Sequence, residues 1–317
     1  MPNMTTSSLP PGIQAEMDKN LLATPTRRCI YTICAQRRTM KKNSGDTIRF
    51  KRWNALESAT APLGNSGITP PPNTLVAVYV DAQMQFYGDW ISINEQVVLQ
   101  NQDNVLNGAA MVLGKQLRTT EDDLARETLH ACANIIFCTH GGNGDNPTNV
   151  TTTDLLEATT VLQMADAETI ADMEEGTNKF GTSPVYSAFF CYTHTQLIPD
   201  LTNLPGFLPK YNYPNQENVL DAEVGSFGYN RFLVSTKGAM DVGASVNGND
   251  VYDFIMVANE SYAMIDQEAY GPEFIYNDPS IAGGPMRLNG SIAWKTAMSF
   301  AILNDEWVLR LRATKAN

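Results

Sequence analysis

A chain of 317 residues that is 43% hydrophobic can bury a core for two domains or for one large domain with an insertion. It has no apolar run approaching about 18 residues, which excludes a transmembrane helix. Three histidines leave few ways to do acid–base work near neutral pH, and five cysteines, an odd number without a repeating spacing, suit reduced thiols rather than a disulfide framework. The formal net charge of −12 is unevenly distributed: residues 27–52 hold nine basic side chains against one acid, Asp46, whereas residues 53–317 hold twelve against 31, a net of −19.

In chain order, the first residues, MPNMTTSSLPPGIQ, lack the charged start and apolar stretch of a signal peptide. Residues 1–40 are rich in Ser, Pro and Thr with weak periodicity, so an extended arm with at most one short helix is expected. A basic arm on an acidic body predicts one of two partners, nucleic acid or the acidic surface of another copy. DTIRFKRW (46–53) then alternates Ile48 and Phe50 with Arg49 and Lys51, which reads as a half-buried strand, and TLVAVYVDAQMQFYGDW (74–90) reads as its mate, with Val76, Val78 and Val80 on one face. The connection NALESATAPLGNSGITPPPN runs about twenty residues with one charge, longer than compact domains normally use, so the hairpin is expected to project and to be stabilised from outside.

After the hairpin the period changes from two to about 3.6. Leu106, Ala110, Leu113, Leu117, Leu124, Ala131 and Ile135 predict an amphipathic helix over 104–135, roughly 45–50 Å long, ended by Gly141 and Gly142. The stretch HACANIIFCTH (130–140) closes that helix and holds two histidines and two cysteines. Structural zinc usually takes its ligands in pairs on a knuckle or one helical turn. Here His130 and Cys132, and Cys138 and His140, stand two apart around an apolar run, so no metal is expected. TTTDLLEATTVLQM starts a second helix capped by Thr152 or Thr153. An acidic stretch, 166–175, follows, and then strands are expected in SPVYSAFFCYTHTQL and over 231–235, 251–258, 291–303 and 307–313. Helices interrupted by scattered strands, without regular βαβ alternation, predict an α+β fold. No phosphate loop, dinucleotide fingerprint, zinc-protease motif or nucleophile elbow is present, and Cys191 with His194 lacks a supporting motif, so no catalytic residue and no cofactor is expected.

The order of elements, together with GDTIRFKRWNAL, ATAPLGNSGITP, YGDWISINE, AEVGSFGYNRFLVST and SIAWKTAMSFAILNDEWVLRLRA, resembles the major capsid proteins of tailed bacteriophages. Within them it is similar to the coat proteins of the podovirus group with large virion RNA polymerases, over residues 45–313. The resemblance implies the tailed-phage capsid fold: an N-terminal arm (1–44), an extended-loop hairpin (45–91), a peripheral domain with a spine helix (92–140 and 286–317) and an inserted axial domain (141–285). It implies self-assembly into pentamers and hexamers around double-stranded DNA touched non-specifically, a portal, room for a decoration protein, and no membrane. The hairpin opens near Asp46 and so leaves little chain ahead of it, which implies a separate scaffolding protein. Expected subunit contacts are Arg37, Arg38, Lys41, Lys42, Arg49, Lys51, Arg52, Trp53, Leu63 and Ile68. Where such shells crosslink covalently, the hairpin loop supplies a lysine; residues 54–75 contain none, so noncovalent cohesion is expected. The alternative is a nucleic-acid-binding protein that uses 27–52, opposed by the acidity of the rest of the chain and by the few aromatics near the arm (Tyr31, Phe50, Trp53).

Overall fold

A computed structural model describes residues 27–60, 71–94, 105–170, 187–213, 219–268, 270–278, 286 and 288–316. The first 26 residues of the expected arm, the hairpin-loop positions Leu63 and Ile68, and the acidic stretch beyond residue 170 lie outside them.

Two sheets, a ribbon and one long helix organise the described chain. The ribbon pairs β2 (Thr47–Trp53) with β3 (Ala77–Gln83), antiparallel. The mate expected as one strand over 74–90 ends at Met84, and β4 (Gln85–Asn94) leaves the ribbon to pair with β14 (Asn289–Ile302). Period-two alternation continues through the break, so nothing in the pattern marks the change of partner. Met84 marks it physically: its N–H bonds Asp46 O at 2.8 Å, and its side chain is buried with Met40, Ala82, Ile265, Ala297 and Ala301. The other edge of β14 carries β13 (Glu273–Asn277) and β12 (Tyr262–Gln267), and β12 in turn carries β1 (Gln36–Met40) in parallel; these strands form the small sheet. β1 corrects the arm expectation at residues 36–40: QRRTM has little apolar content, and its strand is held by ladder hydrogen bonds and by the one buried side chain, Met40.

The large sheet runs β5 (Ile135–Phe137), β15 (Val308–Thr314), β11 (Val251–Val257), β6 (Phe189–His194), β9 (Asn230–Ser235), β8 (Glu223–Phe227), β7 (Leu208–Pro209), with β10 (Met240–Asp241) beside β11. β6, β9 and β11 are buried at every position, because both faces are covered. Tyr252, Phe254 and Met256 of β11 face the cluster built with α2 (Thr152–Met164) and α3 (Ile198–Thr202), whereas Ile255 and Val257 face α1 (Val105–His130). The cap of α2 is Thr151, one residue before the expected pair: Thr151 is extended, its hydroxyl accepts from Asp154 N, and the Asp154 carboxylate accepts from Thr151 N.

α1 confirms the long helix but ends at His130 rather than near 135. Ile135, Ile136 and Phe137 are strand formers, and they pair in parallel with Arg310, Leu311 and Arg312. The N-terminal half of α1 (Leu113, Leu117) packs on the small sheet, against Ile93, Ile292, Trp294 and Met298. Its C-terminal half (Ala125, Leu129) packs on the large sheet, against Tyr192, Leu233, Ile255 and Val308. One helix therefore belongs to two cores. The expected division at 140/141 and 285/286 does not follow sheet membership, since β5 and β15, placed with the spine, both lie in the large sheet.

Candidate assembly surface

Residues 27–35 form a strap across α1 and the large sheet. Arg27 reaches Asp123 at 2.8 Å and approaches Asp122 at 4.0 Å. Tyr31 N donates to Asp122 Oδ1 at 2.8 Å, Ala239 N donates to Tyr31 Oη at 3.1 Å, and Tyr262 Oη donates to Tyr31 O at 2.7 Å. Ile30 and Tyr31 are fully buried. Arg27, read from sequence as part of a free basic arm, is therefore an internal fastener, while Arg28 stays half exposed beside Asp221.

Burial pushes the Asp122 carboxyl up to about 6, against the hydrogen bond from Tyr31 and the nearby Arg27 that favour its charged form. With the unfolded value near 3.8, the folded chain holds the proton over pH 4–6 and the unfolded chain does not, so this group's stability is full below that window and falls as pH rises through it. At roughly 1.4 kcal/mol per pH unit, the loss reaches at most about 3 kcal/mol. Asn keeps the acceptor for Tyr31 N without the titration, so the difference in unfolding free energy between Asp122→Asn and the parent should grow in the variant's favour from pH 4 to pH 7. A flat difference across denaturant titrations at those pH values would refute the account.

The ribbon and β1 display the expected contact residues in two classes. Arg49 is matched within its own hairpin, in a bidentate pair with Asp81 at 2.6 and 2.7 Å, and Lys51 Nζ stands 3.8 Å over the Trp53 ring. Arg37 lies in the field of Glu121 and Asp266. Arg38, Lys41, Lys42 and Arg52 are exposed and make no ion pair among the described residues. The inner face of the ribbon (Ile48, Phe50, Val80) packs on the small sheet, so only its root is supported by the chain's own core.

Sequence reasoning missed a second exposed region. Phe86 and Trp90 on β4 are 69% and 63% exposed, on the face of the small sheet away from α1, and Phe86 meets Tyr270 edge-on at 5.4 Å. Their partners on the other face, Ile91 and Ile93, are packed beneath α1. A strand with large apolar residues on both faces and a helix on only one is the signal that was available in QFYGDWISIN.

The four His and Cys side chains of 130–140 are distributed over separate environments. Cys132 and Cys138 are buried in different apolar clusters, on opposite faces of the large sheet, and burial pushes both thiols up. His130 belongs to a charged network: its Nδ1 is 2.7 Å from Asp253 Oδ2 and its Nε2 is 3.3 Å from Asp241 Oδ1. Asp253, fully buried on β11, also meets Arg310 at 2.7 Å and faces Arg312 Nε at 3.3 Å, and Arg312 pairs with Asp241. His140 bonds Asp154 at 2.8 Å, with Glu157 at 3.8 Å from its other nitrogen. That trio has ligand-like spacing, but the Asp154 oxygens already accept from Thr139 N, Thr151 N, the Thr151 hydroxyl and His140. Burial works to raise the Asp154 pKa, yet these donors hold it below the usual carboxylate value. Elemental analysis should find no stoichiometric zinc; zinc lost together with stability in Cys132→Ala would contradict this assignment.

No family model and no curated relative matches the sequence. Solved structures do match, over nearly the whole chain. The capsid of Ralstonia phage GP4 aligns at a TM-score of 0.69 and 12% identity, covering 97% of this chain and 96% of that one. The head structure of Helicobacter pylori bacteriophage KHP40 aligns at 0.68 and 9% identity, covering 98% and 97%. The capsid structure of cyanophage P-SCSP1u aligns at 0.67 and 10% identity, covering 96% and 94%. The chain has the fold of tailed-phage capsid proteins, at identities that carry the fold and not the sequence.

Proposed function

We propose that this chain is the major capsid protein of a tailed phage: a structural, non-enzymatic subunit that assembles with copies of itself into pentamers and hexamers. These form the icosahedral head, around double-stranded DNA. The observation that carries the reading is the two-way coverage, in which this chain and each phage capsid chain account for nearly all of one another. The exposed residues 54–60 and 71–76 beyond the ribbon strands, the cations at its root that make no ion pair among the described residues, and the exposed aromatic face of β4 fit a subunit whose remaining contacts lie on neighbours. In this reading the small sheet with the first half of α1 is the peripheral unit and the large sheet the axial one. A scaffolding protein, a portal and a decoration protein are further proposed partners, and the podovirus coat-protein group is the proposed narrower kinship. The nucleic-acid-binding alternative loses two of its cations, Arg27 and Arg49, to internal carboxylates. The test is size under native conditions. Expressed alone or with its phage's scaffold, the chain should sediment far ahead of a 34.8 kDa monomer and show shells or capsomers by electron microscopy; a small oligomer that retains nucleic acid would favour the alternative.

A further inference from the structure

Between the ribbon root, β1 and the turn after β14 lies a cleft of about 280 Å³. Its floor is apolar, with Phe50, Val78, Val80 and Trp307, and its rim carries Arg38 and Arg52, neither of which has an anionic partner among the described residues. The one carboxylate on the lining, Glu260, is already bonded by Gln36 at 2.9 Å. The lining therefore sets Arg38, Lys51 and Arg52 against a single carboxylate, which leaves room for a further anion and for an apolar group over the floor.

Both stand just beyond it. The segment following α2 bends around Trp307, whose Nε1 donates to Ala165 O at 3.0 Å, and Asn259 N donates to Glu168 O at 2.9 Å. This segment presents Met164, 80% exposed, together with exposed Asp166 and Glu168, which form no ion pair among the described residues. An unsatisfied basic cleft and an unsatisfied acidic, apolar-tipped segment thus flank the same tryptophan without meeting in one chain. Two patches that are adjacent and complementary are what a two-fold contact requires, because rotation about an axis between them sets each on the partner's opposite.

We infer that this face is a two-fold contact between copies of the chain, with segment 164–168 of each copy seated in the Arg38–Arg52 cleft of the other. Met164 covers the apolar floor, and Asp166 and Glu168 meet the guanidiniums, for which Arg offers planar, forked donors. The inference rests on the assembly reading for its setting, but on the charge layout for its content.

The experiment is a charge exchange on the full chain, read by sedimentation velocity. Arg38→Glu with Arg52→Glu should lower association at least tenfold, and Asp166→Arg with Glu168→Arg should do the same. All four changes together should return it to within about threefold of the parent, because the pairs are restored with their signs reversed. Arg38→Cys with Asp166→Cys should give a reducible band at twice the chain mass under oxidising conditions. A fourfold variant no better than either double variant would overturn the inference. So would loss of nucleic-acid retention in Arg38→Glu/Arg52→Glu that the fourfold exchange fails to recover along with association, since the cleft would then hold phosphate. Rescue without any shells would sink the capsid reading and leave this contact standing; shells without rescue would do the opposite.

Discussion

Asp253→Ala is expected to lower the unfolding free energy by about 3–5 kcal/mol, the range for removing one partner of a buried ion pair. Asp253 is fully buried at the centre of the large sheet and is the shared anion for His130, Arg310 and Arg312. Without it the Arg310 guanidinium, whose side chain is 7% exposed, is left as a buried cation with no counter-charge. The distinction between a stranded charge and a lost attraction can be read directly. Asp253→Leu with Arg310→Leu should recover part of the deficit, because well-packed apolar replacements of buried pairs are often neutral. Denaturant unfolding of unassembled chain gives both numbers. A loss under about 1 kcal/mol for Asp253→Ala would mean that the network is solvated in solution and does not fasten α1 to the sheet.

Replacing Arg37, Arg38, Lys41 and Lys42 together by Gln should reduce the yield of assembled particles roughly tenfold or more, while leaving the fold of the unassembled chain intact. Each exposed ion pair contributes only about 0–1 kcal/mol, but four acting together reach the ~1.4 kcal/mol that corresponds to a decade in an equilibrium constant. A closed shell repeats the contact at every subunit. Salt screens the same four cations in the parent, so the difference between parent and variant should shrink as ionic strength rises. Because residues 54–75 offer no amine, boiled particles should run as a single band near 34.8 kDa. A ladder of boiling-resistant multimers under reducing conditions would show a covalent shell, and an unaffected fourfold variant would remove these cations from its cohesion.

What was legible in the sequence follows from where side chains alone carry the signal. β9, β11, β14 and β15 stand within a few residues of their expected bounds, because strands buried on two faces read as unbroken apolar runs and half-buried ones alternate. β1 was invisible for the converse reason: QRRTM has weak side-chain preferences and owes its state to the strand beside it, whereas Phe274, Ile275 and Tyr276 of β13 are strand formers in a run too short and too exposed to show a clear alternation. The end of α1 was misplaced because Ile135 continues the helical period by coincidence while pairing as a strand with Arg310. Of the expected contact residues, charge content identified the cluster, but it could not separate Arg49, already matched by Asp81, from Arg38 and Arg52, which make no ion pair among the described residues. Nor could it show that Arg27 is spent inside the fold.

The shared helix also determines where the subunit is mechanically compliant. Because α1 packs on one sheet through Leu113 and Leu117 and on the other through Ala125 and Leu129, neither sheet can swing relative to the other without flexing the rod between those contacts. In that interval Thr119 and Thr120 both turn their hydroxyls back onto Gln116 O, at 2.8 and 2.9 Å, a geometry that competes with the helical ladder and bends helices. A bend of α1 in that interval would tilt the two sheets against each other about the direct contact that Tyr262 of β12 makes with Tyr192 of β6.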